Sequence, residues 1–400
     1  MATNPLAVEQ PVSNQDRAHS QAARAGKESF YRPELDVVRF VAFFLVLVHH
    51  TMPFAAYGNW SPSPLAQLLL HRLQLAAGFG LCVFFCLSAY LIATLLLRER
   101  DLTGDVSLKN FYTRRVLRIW PLYLAVLLAA FVRSRMDGEP RAAVLLFFLL
   151  LAGNWYSGIY GFATNPITAL WSISVEEQFY LFIPFFAKRG GRRLLAMVAG
   201  ALFALFLVAL GVLVHLHARR ETAIWTNSLV QFNSFAAGLA LALVLHRHPP
   251  PGISRVRQGL VLMVAVTLLA GASVVLNIRE AGPANSWADL AAGYTAVSVG
   301  SAIFIYGFIA GPWNPPRILV YLGKISYGLS VFHSTTNALA KRTAQRWFSS
   351  SAIDSIPYFA TVLAIAFLLA LLAASLSYRF LEKPFLRLKD RFAVIHSRPV

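Results

Sequence analysis

Apolar runs broken by short polar or basic stretches cover almost the whole chain. The first run is Glu34 to His50, ELDVVRFVAFFLVLVHH, which opens on charged residues and closes on two histidines. The second spans about residues 73–97 and contains GFGLCVFFCLSAYLI. Further apolar stretches follow at about 119–132, 142–153, 171–187, 194–214, 223–245, 258–276, 289–310, 318–340 and 356–381. Runs of this kind predict membrane-crossing helices. Counting every stretch gives eleven, but the basic segments do not allow it. Arg98 to Arg118 and the group Lys188, Arg189, Arg192 and Arg193 both read as cytosolic, and three crossings cannot join two cytosolic segments. One stretch between 119 and 187 is therefore expected to be short or re-entrant. The expected fold class is all-α, a polytopic membrane protein with about ten transmembrane helices and both termini cytosolic. Arg219, Arg220, Lys341, Arg342 and Arg346 then fall on the outer side, against the rule.

Residues 1–29 carry no apolar run and mixed charge, and are expected to be a disordered cytosolic tail. The first run has no small-residue cleavage pattern after it, so it reads as a retained span and not as a signal peptide. Residues 30–387 make up the membrane domain, and residues 388–400 are expected to be a basic cytosolic C-terminal tail.

Composition sharpens this picture. The chain is 57% hydrophobic and 14% charged, with a mean hydropathy of +0.57, whereas soluble proteins carry about a quarter charged residues. The 36 basic residues outnumber 18 acidic ones. They sit in the breaks between apolar runs, which is the membrane-topology pattern and argues against nucleic acid as partner. An anionic cytosolic ligand fits them equally well. Cys82 and Cys86, one helical turn apart in an apolar run, read as packing residues; no metal site and no disulfide framework is expected.

Four stretches carry candidate chemistry. Arg39 and His50 are eleven residues apart, about three helical turns and roughly 16 Å, so they share a face at different depths. Ionisable groups inside a span mark a pathway or reaction site, unless Arg39 is a headgroup anchor and His50 an interfacial cap. In FYTRRVLRIWPLY, Arg114, Arg115 and Arg118 stand at a cytosolic boundary, either as a positive-inside anchor or as a phosphate-binding cluster. In LWSISVEEQFYLFIP, Glu176 and Glu177 stand among apolar residues, with Trp171 and Ser172 nearby on the helix. They serve either as structural partners of an arginine or as proton relays. In YLGKISYGLSVFH, Ser326 and His333 lie two turns apart, and a lone histidine there is usually a satisfied core residue. YRFLEKPF reads as the end of the last span.

Taken in order, these blocks resemble the acyltransferase 3 family of bacterial integral-membrane O-acyltransferases. The resemblance rests on ELDVVRF with the Arg39 to His50 spacing, VFFCLSAYLI, SLKNFYTRRVLRIWPLY, LWSISVEEQFYL, LGKISYGLSVFH and YRFLEKPF, from Glu34 to about Phe385. The chain departs from the family pattern at Val37-Val38, at Ala89 and in the extra His49; spacing favours His50 as the matching histidine. Some relatives carry a further esterase-like domain, which this chain, ending at Val400, is expected to lack.

The resemblance implies transfer of an acyl group, acetyl above all, from cytosolic acyl-coenzyme A as co-substrate to a hydroxyl of a surface or exported glycan. It further implies the cytoplasmic membrane as location and no permanently bound cofactor. Arg114, Arg115 and Arg118 would hold coenzyme A phosphates, with Arg39 on the donor path. His50 would act as general base, tuned by Glu176 or Glu177, with Glu34, Asp36, Trp171, Ser172, Ser326, Tyr327 and His333 as binding or structural polar groups. The rival reading is a transporter or flippase for an anionic solute. Homo-oligomerisation is left open by the sequence.

Overall fold

The structure, a computed structural model, describes residues 30–52, 63–136, 142–163, 167–216, 221–280, 285–353 and 355–395. The tail expected at 1–29 lies outside these, as do Arg219, Arg220 and residues 396–400. Among the described residues every regular element is helical.

Helix α1 is Pro33–Thr51. Proline stands in its first turn with Glu34 and Asp36, and His49 and His50 occupy its last turn, which suits the missing N–H and the helix dipole. α2 (Pro64–Ala77) leads into α3 (Gly80–Thr103), the most deeply enclosed helix, which ends on the left-handed Gly104. Gly80 lies on the backbone of α1: a Cβ there would stand 2.3 Å from the Ala42 carbonyl oxygen. The missing side chain thus lets α1 and α3 meet backbone to backbone.

α4 (Leu108–Met136) carries Pro121 in its interior. The following apolar stretch does not cross: α5 (Ala142–Leu149) and α6 (Gly153–Tyr160) have 8 residues each, about 12 Å against a bilayer core of about 30 Å. A closed polar network fastens α6. Gln178 donates to Asn154, Asn154 to Ser228, and Ser228 back to Gln178. α7 (Trp171–His215) changes direction at Gly191, φ 50°, inside its basic turn. After the short α8 (Glu221–Trp225) come α9 (Ser228–Arg247), α10 (Arg255–Val274) and α11 (Trp287–Ala310).

α12 (Arg317–Lys324) and α13 (Ser326–Ala344) then lie against α1, and α14 (Ile356–Ser377) packs along α13 through Ala366, Ala370 and Ala374. α12 reaches α1 because Gly323 has no side chain; a Cβ would fall 1.9 Å from the Asp36 carbonyl oxygen. A π-helical turn, Tyr378–Glu382, leads into α15 (Lys383–Lys389). The main core surrounds α3, with α7, α9 and α11 against it; a second core joins α1, α13 and α14.

Among the described residues 7 helical segments are long and apolar enough to cross a membrane, fewer than the expected ten or so. The sequence count split α7 at its basic turn, while the short or re-entrant stretch it expected between 119 and 187 is 142–153, which folds as the short pair. It also counted α1, which carries Glu34, Asp36 and Arg39, and α13, rich in Ser, Thr and Asn. Apolar side chains such as Leu368, Leu372 and Leu376 face outward from the bundle, a surface suited to lipid.

Candidate active site

A cavity of about 170 Å³ opens between α1, α3, α4, α7 and α13. Its wall on α3 runs from Leu95 to Leu81, about 21 Å along that helix. Its arginine end is built by α1 and α4. Arg39 donates to Asp36 Oδ1 at 2.6 Å, while the Tyr31 hydroxyl donates to Oδ2 at 3.0 Å, so the enclosed carboxylate orients the cation. Arg115 is sandwiched between rings, its guanidinium carbon 5.5 Å from the Phe111 centroid and 5.2 Å from that of Tyr180. Its Nε is buried with no hydrogen-bond partner. Stacked guanidiniums keep their in-plane N–H groups available for an oxyanion. Arg118 lines the same wall.

Further along, Ser88 and the Tyr180 hydroxyl share a hydrogen bond, and Glu176 lines the cavity beside them. Ser172, Ser326, Tyr327 and Ser330 add polar points to a wall otherwise formed by Leu81, Phe84 and Phe85. Ser172 and Tyr327 are held in place, donating to the carbonyls of Ala169 and Ile119.

The cavity ends one turn short of a histidine pair. His333 Nδ1 lies 2.7 Å from the Ser330 carbonyl oxygen. A carbonyl only accepts, so Nδ1 donates to it. The His50 ring lies beside it, centroids 5.2 Å apart. His49 turns the other way: its Nδ1 meets the Gln74 carbonyl at 2.9 Å and its Nε2 lies 3.5 Å from Arg279 Nη2, whose guanidinium covers Trp225 at 3.7 Å. His49 is thus committed on both nitrogens, whereas the His50 side chain is exposed. The last carbonyls of α1 lack intrahelical partners, and side chains from neighbouring helices take them. Gln74 donates to His49 O and Met52 O; Asn337 and Lys341 donate to His50 O.

A family model described as an acyltransferase domain (Acyl_transf_3) matches residues 32–375. The chain belongs to the acyltransferase 3 family. SAS0844 of Staphylococcus aureus strain MSSA476 is 24% identical over 397 residues, covering 93% of this chain and 60% of its own length. The O-acetyltransferase OatA of S. aureus strain NCTC 8325 / PS 47 is 24% identical over 379 residues, covering 88% of this chain and 57% of OatA. The chain thus spans about three-fifths of the length of these curated relatives. No solved structure matches it.

Within this chain most of the sequence-predicted residues fall into two groups. Asp36, Arg39, Arg115, Arg118, Ser172, Glu176, Ser326 and Tyr327 line the one cavity, and His50 meets His333 beyond it. The carboxylates do not join the histidines. Glu176 stays at the level of Arg115 and Tyr180, and Glu177 accepts from Trp120 Nε1 at 3.4 Å, so neither is placed to tune His50. Arg114 is tied down by Glu99 Oε2 at 3.1 Å and by the Phe392 carbonyl at 2.7 Å. Trp171 packs edge-on against Trp225, and Glu34 stands in the first turn of α1 without lining the cavity.

Sequence reasoning missed Ser88 and Tyr180, although they stand in VFFCLSAYLI and LWSISVEEQFYL and Tyr180 is one turn from Glu176. It also missed Arg279 and Gln74, which no local pattern marks. Among the described residues no group of three His, Cys, Asp or Glu side chains is placed to hold a metal, and Cys82 and Cys86 are buried free thiols.

Proposed function

We propose that this protein transfers an acyl group, acetyl above all, from acyl-coenzyme A to a hydroxyl of a sugar in a surface or exported glycan, across the cytoplasmic membrane. The observation that carries the reading is the single cavity leading from stacked and paired arginines to within one turn of two histidines. Arg115 and Arg118 hold the donor's phosphates at the cytosolic mouth, and Arg39, oriented by Asp36, guides them. The amide-bearing arm of the donor extends along α3, past Ser88, Tyr180, Ser172 and Ser330, and brings the thioester to the histidine end.

His50 removes the proton of the acceptor hydroxyl as the oxygen attacks the thioester carbonyl carbon. The C–O bond forms, the C–S bond breaks, and the thiolate leaves with the proton returned from the His50 imidazolium, giving the ester and free coenzyme A. His333 packs beside His50 and limits the tilt of its ring. Named relatives such as OatA, an O-acetyltransferase, support the choice of an oxygen acceptor.

The test is transfer of labelled acetyl from acetyl-coenzyme A in membrane vesicles containing native glycans, with wild type and His50→Ala. Loss of a general base lowers turnover by about 10²–10⁴-fold. Labelled glycan from wild type alone supports the reading. Equal labelling by both variants removes His50 from the chemistry, and a wild type that binds no coenzyme A removes the donor.

A further inference from the structure

A second, smaller cavity of about 40 Å³ lies beside the arginine end, room for about three waters or one tetrahedral oxyanion. Leu95, Arg115 and Arg118 line both cavities, so the smaller one is a side chamber of the larger one's mouth. Its other wall comes from the C-terminal turn: Lys389, Asp390, Ala393 and Ile395. This turn is fastened to the bundle, because Arg114 bridges the Phe392 carbonyl to Glu99 of α3. Residues from 388 onward, expected from sequence as a tail, are thus folded against α4 as far as Ile395.

Lys389 is unusual in its direction. Lysines at a helix end normally extend to water, yet this one is only 7% exposed and lines the chamber with three arginines. Among the described residues the chamber sets four cations against two carboxylates. Glu99 is occupied by Arg114 and by the Ser107 N–H, and Asp390 lies 3.3 Å from Lys389 Nζ. An enclosed cluster of cations favours an anionic ligand, and a phosphomonoester, at about −1.5 to −2, is a matching one. The buried, unpartnered Nε of Arg115 stands on the same wall.

We propose that the C-terminal turn completes the donor site, with Lys389 joining Arg115 and Arg118 around the ribose phosphomonoester of coenzyme A, and with Arg114 as the positioning residue. This rests on the donor reading above. The chamber then selects the phosphorylated nucleotide over its dephosphorylated form, while the diphosphate and the arm occupy the larger cavity.

The experiment is titration calorimetry on the full chain in lipid nanodiscs with coenzyme A and dephospho-coenzyme A, for wild type, Lys389→Ala and Lys389→Arg. One charge-assisted contact is worth about tenfold or more in Kd. Wild type should bind coenzyme A at least about tenfold tighter than the dephospho form. Lys389→Ala should lose most of that preference while binding dephospho-coenzyme A as wild type does, which also shows that it is folded. Lys389→Arg should keep the preference. A Lys389→Ala protein that retains the wild-type preference overturns the proposal, as does a wild type that binds both nucleotides equally; in either case donor binding itself stands. A folded wild type that binds neither nucleotide overturns the donor reading beneath it.

Discussion

Replacing Asp36 by Asn should separate the placement of Arg39 from its presence. Asp36 is 1% exposed and accepts from Arg39 Nη1 at 2.6 Å and from the Tyr31 hydroxyl at 3.0 Å. Asparagine keeps an oxygen for Arg39 but removes the charge, reducing a charge-assisted bond of about 1.5–3 kcal/mol to a neutral one of about 0.5–1.5 kcal/mol. The Arg39 side chain is 16% exposed, so water recovers part of the loss, and a net cost of about 1 kcal/mol follows. Expressed as weaker donor placement, that is about fivefold in the KM for acetyl-coenzyme A, with kcat little changed because the histidine end is about three turns away. Thermal unfolding in nanodiscs should fall by a similar free energy. Asp36→Ala, which breaks the buried pair, should cost more, toward about 3 kcal/mol. Initial rates of labelled acetyl transfer against donor concentration read both variants. A wild-type KM in Asp36→Asn, with Arg39→Gln impaired, would refute the claim that Asp36 aims Arg39 at the donor.

Other outcomes follow from the same geometry. Ser88→Phe fills the cavity midway along α3, so nucleotide binding at the arginine end should survive while acetyl transfer is lost, read by calorimetry and label transfer on one preparation. Gly80→Ala drives a methyl toward the Ala42 carbonyl, 2.3 Å away, and should destabilise by about 1–3 kcal/mol in thermal unfolding. An unshifted midpoint would disprove the backbone contact of α1 and α3. At the loop between α3 and α4, Lys188 and the Val106 N–H hold the Asp105 carboxyl below its usual range. A lowered folded value contributes stability above the unfolded carboxylate range, lost as pH falls through the folded value. Asp105→Asn should therefore lower stability slightly at neutral pH, slightly because the group is exposed, and converge with wild type at acid pH, which flattens the acid limb of the stability curve.

The helical class and the site's arginines were legible because both leave local marks: long apolar runs, and charges where a bilayer should forbid them. His50 and His333 could be marked one by one, but nothing in the spacing of α1 and α13 says that residues so far apart in sequence share a ring contact. The carboxylates misled for a related reason. Glu176 and Glu177 are as conspicuous as His50, and only the packing of α7 against α3 and α4 assigns them to the arginine end. The count of spans differs where local hydropathy is least decisive, at the polar helices α1 and α13, whereas the short stretch expected between 119 and 187 is found at 142–153. Stretch 142–153 is apolar, but the left-handed backbone at Leu151 divides it, and the Asn154–Gln178–Ser228 network fastens the second short helix, α6, to α7 and α9. The C-terminal turn looked like a basic tail because Arg114, the residue that fastens it, lies 278 positions away from Phe392.

Steady-state kinetics on paired variants read whether the cavity carries a donor, held at the arginines, to chemistry at the histidines. With acetyl-coenzyme A varied over a saturating acceptor, Arg115→Ala should raise the donor KM about tenfold or more with kcat largely kept. His50→Ala should lower kcat by about 10²–10⁴-fold while coenzyme A binds as in wild type. The reverse pattern, Arg115→Ala failing only in kcat and His50→Ala failing in donor binding, would overturn both assignments.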